Sequence, residues 1–214
     1  NISAIPGFVN AAAGDYHLKG ISLCIDTGSN SAPQIPSIDL DGNLRILDGN
    51  GDSIAIVDMG AYEFVRPPTV TTNDATNITF TAARLNGNLT SLGTATSVNV
   101  SFQWGTSSGV YPNETTAQAK TTTGAFSFDL SPLAPGTTYY FRAKAVGHGT
   151  TYGAEKSFTT LATPPSVTTN DATNITINAA KLNGNLTSLG TATTVNVSFQ
   201  WGTSSGVYPN ETTA

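Results

Sequence analysis

A block of 51 residues occurs twice in this 214-residue chain, as residues 67–117 and again as residues 164–214. Matching residues are 97 positions apart, and the two copies differ at five positions. Each copy contains the run VNVSFQW (98–104 and 195–201), in which large apolar residues alternate with polar ones. This period of two is typical of a strand with one buried face. The repeat therefore predicts an all-β chain built from tandem β-sandwich modules.

Apolar alternation and turn residues divide residues 69–160 into short strands. A repeat length near 97 residues also matches the size of a single β-sandwich domain. The predicted strands are Val70–Thr72, Ala83–Thr90, Val98–Gly105, Val110–Tyr111, Ala125–Leu130, Thr138–Val146 and Ala154–Thr160.

The run LAPGTTYYFRAKA, residues 133–145, resembles the strand F signature of fibronectin type III domains. The resemblance implies that Tyr139 is the corner tyrosine, with its hydroxyl bonded to the backbone near Leu133. It also implies that Trp104 fills the volume of the family's strand B tryptophan, which is missing here. We expect Trp104 and Tyr139 to be buried in one core. Three outward residues, Tyr140, Arg142 and Lys144, would form either a ligand-binding strip or a solvated strand face.

Residues 1–64 contain short apolar runs that are interrupted by Gly, Asn, Asp and Pro, which predicts short strands joined by turns. These runs are Ile2–Ile5, Ile21–Ile25, Leu44–Leu47 and Ile54–Val57. The motifs PGFVN, GDYHL, SLCIDTG, DLDGNLR and VDMGAYEF follow one another in the same segment. Together they resemble the C-terminal end of right-handed parallel β-helix proteins of the choice-of-anchor type, found on secreted prokaryotic proteins. The resemblance implies that this segment is the last coils and cap of a solenoid.

These observations predict five consecutive regions. Residues 1–64 would be the β-helix end, 65–68 a proline linker and 69–161 a fibronectin type III-like module. A second proline linker (162–165) would then precede the first half of another such module (166–214). Without an initiator Met or a signal peptide, we expect the sequence to be an internal piece of a longer protein. The incomplete second module is expected to be disordered alone, or ordered only against a partner, because its apolar strand face would be uncovered.

An acidic, glycine-rich stretch is the main candidate for a metal site. Hard cations such as calcium require six to eight oxygen ligands, which alternate residues of a Gly-rich turn can supply. The predicted calcium ligands are Asp39, Asp41, Asp48, Asn50, Asp52 and Asp58. The alternative is that these side chains terminate turns through hydrogen bonds to the backbone. His17 lies near Asp15, Cys24 and Asp26 in sequence, but the spacing matches no zinc or nucleophile pattern.

Charge and composition exclude several classes of function. The net charge is −5, and the acidic excess belongs to residues 1–64, so there is no basic stripe for a nucleic acid. No apolar run is long enough to span a membrane. The single cysteine, Cys24, excludes an intrachain disulfide.

We therefore expect a stalk without catalytic residues, and without any cofactor except calcium, that displays and spaces part of a large secreted or cell-surface prokaryotic protein. Its expected partners are cell-surface polysaccharide, which would give an adhesive role, or other copies of itself. One rival interpretation is the accessory region of a polysaccharide-degrading β-helix enzyme whose active site lies upstream. Another is a self-associating filament or surface-layer component. Many further 97-residue repeats in the open reading frame would favour the stalk.

Overall fold

The computed structural model describes residues 5–213, and within this range the regular structure is almost entirely strand, with one short 3₁₀ helix at Ala11–Ala13. The first strands are β1 (Phe8–Asn10), β2 (Asp15–Leu18), β3 (Thr69–Thr76), β4 (Ala83–Ser91), β5 (Val98–Gly105), β6 (Asn113–Glu114), β7 (Gln118–Lys120) and β8 (Gly124–Leu130). The remaining strands are β9 (Thr138–Gly147), β10 (Gly149–Tyr152), β11 (Lys156–Thr159), β12 (Ser166–Thr173), β13 (Lys181–Ser188), β14 (Gln200–Trp201) and β15 (Asn210–Glu211). The all-β prediction is confirmed.

The first repeat and the residues after it, up to Thr159, form a β-sandwich of two antiparallel sheets. One sheet has the order β3-β4-β8, and the other has the order β10-β9-β5-β6, with β7 also on β5 and β11 also on β9. Strands β5 and β9 are paired from Asn99↔Val146 to Gly105↔Tyr140. The two sheets meet in the core, where the rings of Phe102 on β5 and Phe126 on β8 lie 5.0 Å apart. A single apolar core therefore joins the two sheets.

The predicted inward face of β9 is confirmed, because Tyr139, Phe141, Ala143 and Ala145 are all buried. The corner tyrosine is confirmed as well: the Ala134 amide donates to the Tyr139 hydroxyl at 2.9 Å. The prediction for Trp104 is wrong, since its side chain is only partly buried. Trp104 is the last inward position of β5, next to the end of the strand, where a side chain has neighbours on fewer sides than Val100 or Phe102 has.

Residues 8–64 form a small apolar cluster held by loops. Leu18, Cys24 and Ile25 are buried, and Phe8, Met59 and Phe64 pack against them. Strands β1 and β2 pair antiparallel, and the bridges Ile38↔Leu44 and Leu47↔Ile56 are also antiparallel. The predicted strand at Ile21–Ile25 consists of turns instead, while Ile2–Ile5 lies outside the described residues except for Ile5. Since the described part of this segment has no parallel ladder, the β-helix end stays a prediction.

The chain divides into two compact units by its internal contacts. The first runs up to Ala75 and continues with Leu85–Phe128 and Tyr140–Ser157. The second comprises Thr76–Arg84, Asp129–Tyr139 and the chain from Phe158 onward, so it includes the second repeat. There, β12 pairs with β13 and β14 pairs with β15. These units are not continuous in sequence. The predicted boundaries at 64/65, 68/69, 161/162 and 165/166 stay predictions.

Candidate functional site

The six predicted calcium ligands occupy separate places in the structure. Asp39 is buried, and its carboxylate accepts hydrogen bonds from the amides of Asp41 (2.9 Å), Asn43 (2.8 Å) and Glu63 (3.0 Å). These contacts close the turn at residues 39–43 and fasten it to residue 63. The turn-terminating alternative therefore describes Asp39 better than a metal ligand does.

Asp41 is directed towards His17. The Nε2 atom of His17 lies 2.6 Å from Asp41 Oδ2, and its Nδ1 atom lies 2.6 Å from Asp15 Oδ1. The hydrogen bond to Asp15 and then that to Asp41 raise the pKa of His17 above its ordinary value. The imidazole also lies against the ring of Tyr62, at 4.0 Å between centroids. His17 therefore bridges β2 and the turn at residues 39–43 through hydrogen bonds from both of its ring nitrogens.

A buried ion pair connects the last two motifs of this segment. The Nη1 atom of Arg45 donates to Glu63 Oε1, and Nη2 donates to the carbonyl oxygens of Asp58 (3.3 Å) and Gly60. The Glu63 side chain is 1% exposed, and burial raises the pKa of Glu63 to about 7. The Asp58 amide donates to the same carboxylate at 3.0 Å. Arg45 and Glu63 therefore hold the DLDGNLR and VDMGAYEF motifs together.

Asp58 is the predicted ligand that lies deepest. Its Oδ1 accepts from the Asp26 amide at 2.8 Å, and its Oδ2 accepts from the Phe64 amide at 2.5 Å. The side chain is buried, and this burial raises the pKa of Asp58. Because both oxygens serve backbone donors from two distant parts of the segment, Asp58 acts as a structural cap.

The structure brings Asp48 and Asp52 together with Asp26, which was not among the predicted ligands. One carboxylate oxygen from each of the three residues lies within 4.8 Å of the others. Asn50 is adjacent, with its Nδ2 donating to Asp52 Oδ2 at 3.2 Å. Arg66 also contacts this cluster: its Nη2 lies 3.9 Å from Asp48 Oδ1 and donates to the Asp48 carbonyl oxygen at 3.2 Å. Three carboxylates could ligate a hard cation, while the guanidinium beside them reduces the negative charge that would attract it.

Calcium binding by the six predicted residues stays a prediction, and Asp48 and Asp52 are the two of them that lie together with Asp26. Millimolar calcium is expected to raise the melting temperature relative to chelator, because an ion that binds only the folded state stabilises it by mass action. Asp52→Asn should remove the shift, whereas Asp74→Asn, at an exposed site on β3, should keep it. A melting temperature that is equal with calcium and with chelator would contradict the calcium site. The measurement is differential scanning calorimetry of the full chain.

The outward strip on β9 is occupied by other side chains of the first repeat. The guanidinium of Arg142 lies between the rings of Tyr111 and Tyr152, at 4.5 and 3.8 Å from their centroids. Its Nε and Nη2 donate to Gln103 Oε1 at 3.1 and 2.9 Å. Lys144 donates to Glu114 at 3.0 Å. These contacts favour the solvated strand face, since the cations already have internal partners.

No helix in the described residues is both long enough and apolar enough to cross a membrane.

No protein-family profile matches the sequence, and a comparison with curated proteins also finds no match. Part of the chain is similar to solved β-sandwich domains. The sensor domain of the anti-sigma factor RsgI4 of Pseudobacteroides cellulosolvens is 24% identical, with a TM-score of 0.38 over 45% of this chain and 96% of that domain. The sixth fibronectin type III domain of human fibronectin type III domain containing protein 3 is 22% identical, with a TM-score of 0.31 over 48% of this chain and 89% of that domain.

Proposed function

We propose that this chain is a non-catalytic spacer of a secreted or cell-surface prokaryotic protein, in which short proline junctions fix the order and spacing of β modules. The observation that carries the proposal is that both junctions are fastened in the same way. The Thr94 amide donates to the Arg66 carbonyl at 3.1 Å, and the matching Thr191 amide donates to the Thr163 carbonyl at 3.0 Å. Because the same hydrogen bond is repeated at both junctions, the arrangement favours a spacing role.

The first junction has contacts on both sides. The Arg66 amide donates to Thr94 Oγ1 at 3.1 Å, while its guanidinium donates to the Asp48 carbonyl. The carbonyl of Pro68, whose side chain is fully buried, accepts from Thr151 Oγ1 at 2.8 Å. A β-carbon at Gly93 would lie 2.1 Å from the Arg66 carbonyl oxygen, so glycine is needed for this close approach. Proline and these contacts together oppose a freely jointed linker.

Residues 1–64 are proposed to close a right-handed parallel β-helix. The support is the resemblance of the five motifs, together with apolar side chains that have little cover in this segment. Ile21, Leu23, Leu40 and Ile54 are all exposed. Packing against a preceding coil would remove their surface from water, which stabilises apolar contacts.

Two other roles remain as alternatives: an accessory region of a polysaccharide-degrading β-helix enzyme, and a self-associating filament or surface-layer component. Cell-surface polysaccharide and other copies of the chain remain the proposed partners, and an extracellular position remains the proposed location. Assembly into long oligomers at micromolar concentration would favour the filament over the spacer.

The spacer proposal predicts a stiff first junction. Spin labels at Ala55→Cys and Thr106→Cys, both exposed positions, should give one narrow distance distribution by double electron–electron resonance. Cys24 is buried and should not be labelled. Inserting two glycines between Val65 and Arg66 should broaden the distribution, because the insertion separates Arg66 from Asp48 or from Thr94.

The matched control inserts two glycines after Thr122, in an exposed bend outside the junction. This second insertion should leave the distribution narrow. A broad distribution in the chain without any insertion would contradict the spacer proposal.

A further inference from the structure

Three Asn-Gly pairs occur in the sequence: Asn50-Gly51, Asn86-Gly87 and Asn183-Gly184. Such a pair is prone to deamidation, because glycine has no side chain to hinder its backbone nitrogen. That nitrogen loses its proton and attacks Cγ of the preceding asparagine, and the side-chain nitrogen leaves as ammonia. Water then opens the resulting succinimide ring to give aspartate or isoaspartate. Since the reaction needs no enzyme, the local structure decides which pair reacts.

Two of the pairs lie inside strands, where the reaction is opposed. Asn86-Gly87 lies within β4, the central strand of its sheet, and Asn183-Gly184 lies within β13, which pairs with β12. The Nδ2 atom of each asparagine donates at 2.8 Å to a carbonyl oxygen of the neighbouring strand. Closing the succinimide ring would pull the chain out of the sheet. Both pairs should therefore be unreactive while the chain is folded.

The third pair lies in a mostly exposed loop, residues 48–53, which holds the glycine nitrogen against a carboxylate. The Gly51 amide donates to Asp48 Oδ1 at 2.5 Å. A carboxylate in direct hydrogen bond to an N–H is placed to act as its general base. The other oxygen of the same carboxylate accepts from the Ser53 amide at 2.9 Å, which fixes its orientation. The loop therefore holds the attacking nitrogen together with a base.

The side chain of Asn50, which is the group attacked, is held by Asp52. The Asp52 amide donates to Asn50 Oδ1 at 2.8 Å, so it stabilises this oxygen as negative charge develops on it. The Asn50 Nδ2 atom, which becomes the leaving group, donates to Asp52 Oδ2 at 3.2 Å. The Asn50 amide donates to Asp26 Oδ2 at 2.8 Å and fixes the backbone. Both polar atoms of the attacked amide therefore have a partner in Asp52.

A cation lies directly against the glycine of this pair. A β-carbon on Gly51 would lie 2.3 Å from Arg66 Nη1 and 2.9 Å from its Cζ, so the guanidinium fills the space of a side chain. Gly51 also has a φ of +88°, in the left-handed region that favours glycine. A positive charge at this position stabilises the negative charge that develops as the Gly51 nitrogen loses its proton. Arg66 therefore assists the base.

We propose that Asn50 is a self-modification site, at which the loop of residues 48–53 converts asparagine to aspartate and isoaspartate through a succinimide. Asp48 takes the amide proton of Gly51, and the leaving nitrogen of Asn50 recovers that proton and departs as ammonia. Water adds in the second step. Each conversion places one more negative charge beside the three clustered carboxylates and replaces the Nδ2 donor to Asp52 with an oxygen. The charge of the loop thus changes with the age of the protein. This inference does not depend on the spacer role.

The test follows deamidation in the full 214-residue chain at neutral pH, with a chelator present to keep cations away from Asp48. Peptide mapping by mass spectrometry gives the rate at each of the three Asn-Gly pairs. Asn50 should react at least about tenfold faster than Asn86 and Asn183 in the folded chain. In denaturant, where the loop and the strands are lost, the three rates should be similar. Equal rates in the folded chain would overturn the proposal.

Two substitutions distinguish a site that promotes the reaction from a loop that is simply exposed. Asp48→Ala removes the base, and Arg66→Met removes the cation. Each should slow the conversion of Asn50 by about tenfold or more. If exposure alone made Asn50 reactive, Asp48→Ala would free the loop and leave the rate equal or faster. That outcome would contradict the proposal.

The matched control is Asp74→Ala, which removes an exposed carboxylate on β3. This substitution should leave the rate at Asn50 unchanged. The Phe64 amide should stay protected from hydrogen exchange in all three variants, which shows that the N-terminal segment remains folded. A rate at Asn50 that falls equally in Asp74→Ala and in Asp48→Ala would overturn the role of Asp48 as the base.

Discussion

Replacing Phe102 by alanine is expected to lower the free energy of unfolding of the first repeat by about 3–5 kcal/mol. The Phe102 side chain is 1% exposed, and its ring lies 5.0 Å from Phe126 and 6.3 Å from Phe141. These neighbours belong to β8 in the opposite sheet and to β9 in its own sheet, so removing the ring leaves a cavity that neither sheet can close alone. Guanidinium chloride unfolding, followed by tryptophan fluorescence, measures the change.

The second repeat contains a matched control at Phe199, which stands in the same local sequence. Phe199→Ala is expected to cost less than about 1 kcal/mol, because this ring lines an open apolar groove of about 380 Å³ and does not join two sheets. Equal losses from Phe102→Ala and Phe199→Ala would mean that the second repeat has a closed core of its own. The comparison separates the contribution of the strand sequence to the free energy of unfolding from the contribution of β8 and β9.

Replacing Arg45 by methionine is expected to destabilise the N-terminal segment by about 3–5 kcal/mol at about pH 8, where ionisation of Glu63 would leave a buried carboxylate without its cation. The change also removes the donors to the carbonyl oxygens of Asp58 and Gly60. Hydrogen exchange at the Phe64 amide, which donates to Asp58, reports opening of this network. The control is Arg84→Met: its ion pair with Asp129 is solvent-exposed, and its loss should cost about 0–1 kcal/mol.

The destabilisation caused by Arg45→Met should depend on pH, because Glu63 changes its protonation state. The pKa of Glu63 is raised from 4.5 to about 7 by burial, so the folded state holds the proton more tightly than the unfolded state does. Its contribution to stability is therefore fully present below pH 4.5 and is lost as the pH rises through about 7. Arg45 limits this loss of stability, because its positive charge stabilises the ionised form of Glu63 and lowers its pKa. Arg45→Met should then be less harmful at about pH 5 than at about pH 8, and an equal deficit at both would contradict this role of Glu63.

The sequence predicted the long strands well because they carry a clear period of two. Strand β5 has the predicted bounds, and the alternation along β9 correctly separates its buried residues from Tyr140, Arg142 and Lys144. The strands of two to four residues that pair at the sheet edges, β6, β7 and β10, were missed because so few residues show no periodicity. Alternation also failed at Ser101, an outward position that is buried because its hydroxyl donates to Glu114 in the adjoining hairpin.

The candidate metal set was predicted less well. Spacing along the chain identified Asp48 and Asp52, but it could not show that Asp26 lies beside them or that Arg66 lies close to Asp48. It also could not show that Asp58 caps the amide of the distant Asp26, whereas Asp48 caps the nearby amides of Gly51 and Ser53. Asp26 and Asp58 are placed by hydrogen bonds to residues more than 20 positions away in the chain, and local sequence contains no direct signal of these bonds.

The near-identity of the two repeats also has a consequence for the order of folding. Two segments of identical sequence, residues 98–105 and residues 195–202, are potential partners of β9, which follows the first and precedes the second in the chain. During synthesis, the first partner is complete when β9 emerges and the second does not yet exist, so vectorial folding selects the correct pairing. On refolding from denaturant, both partners are present from the start and compete for the same strand.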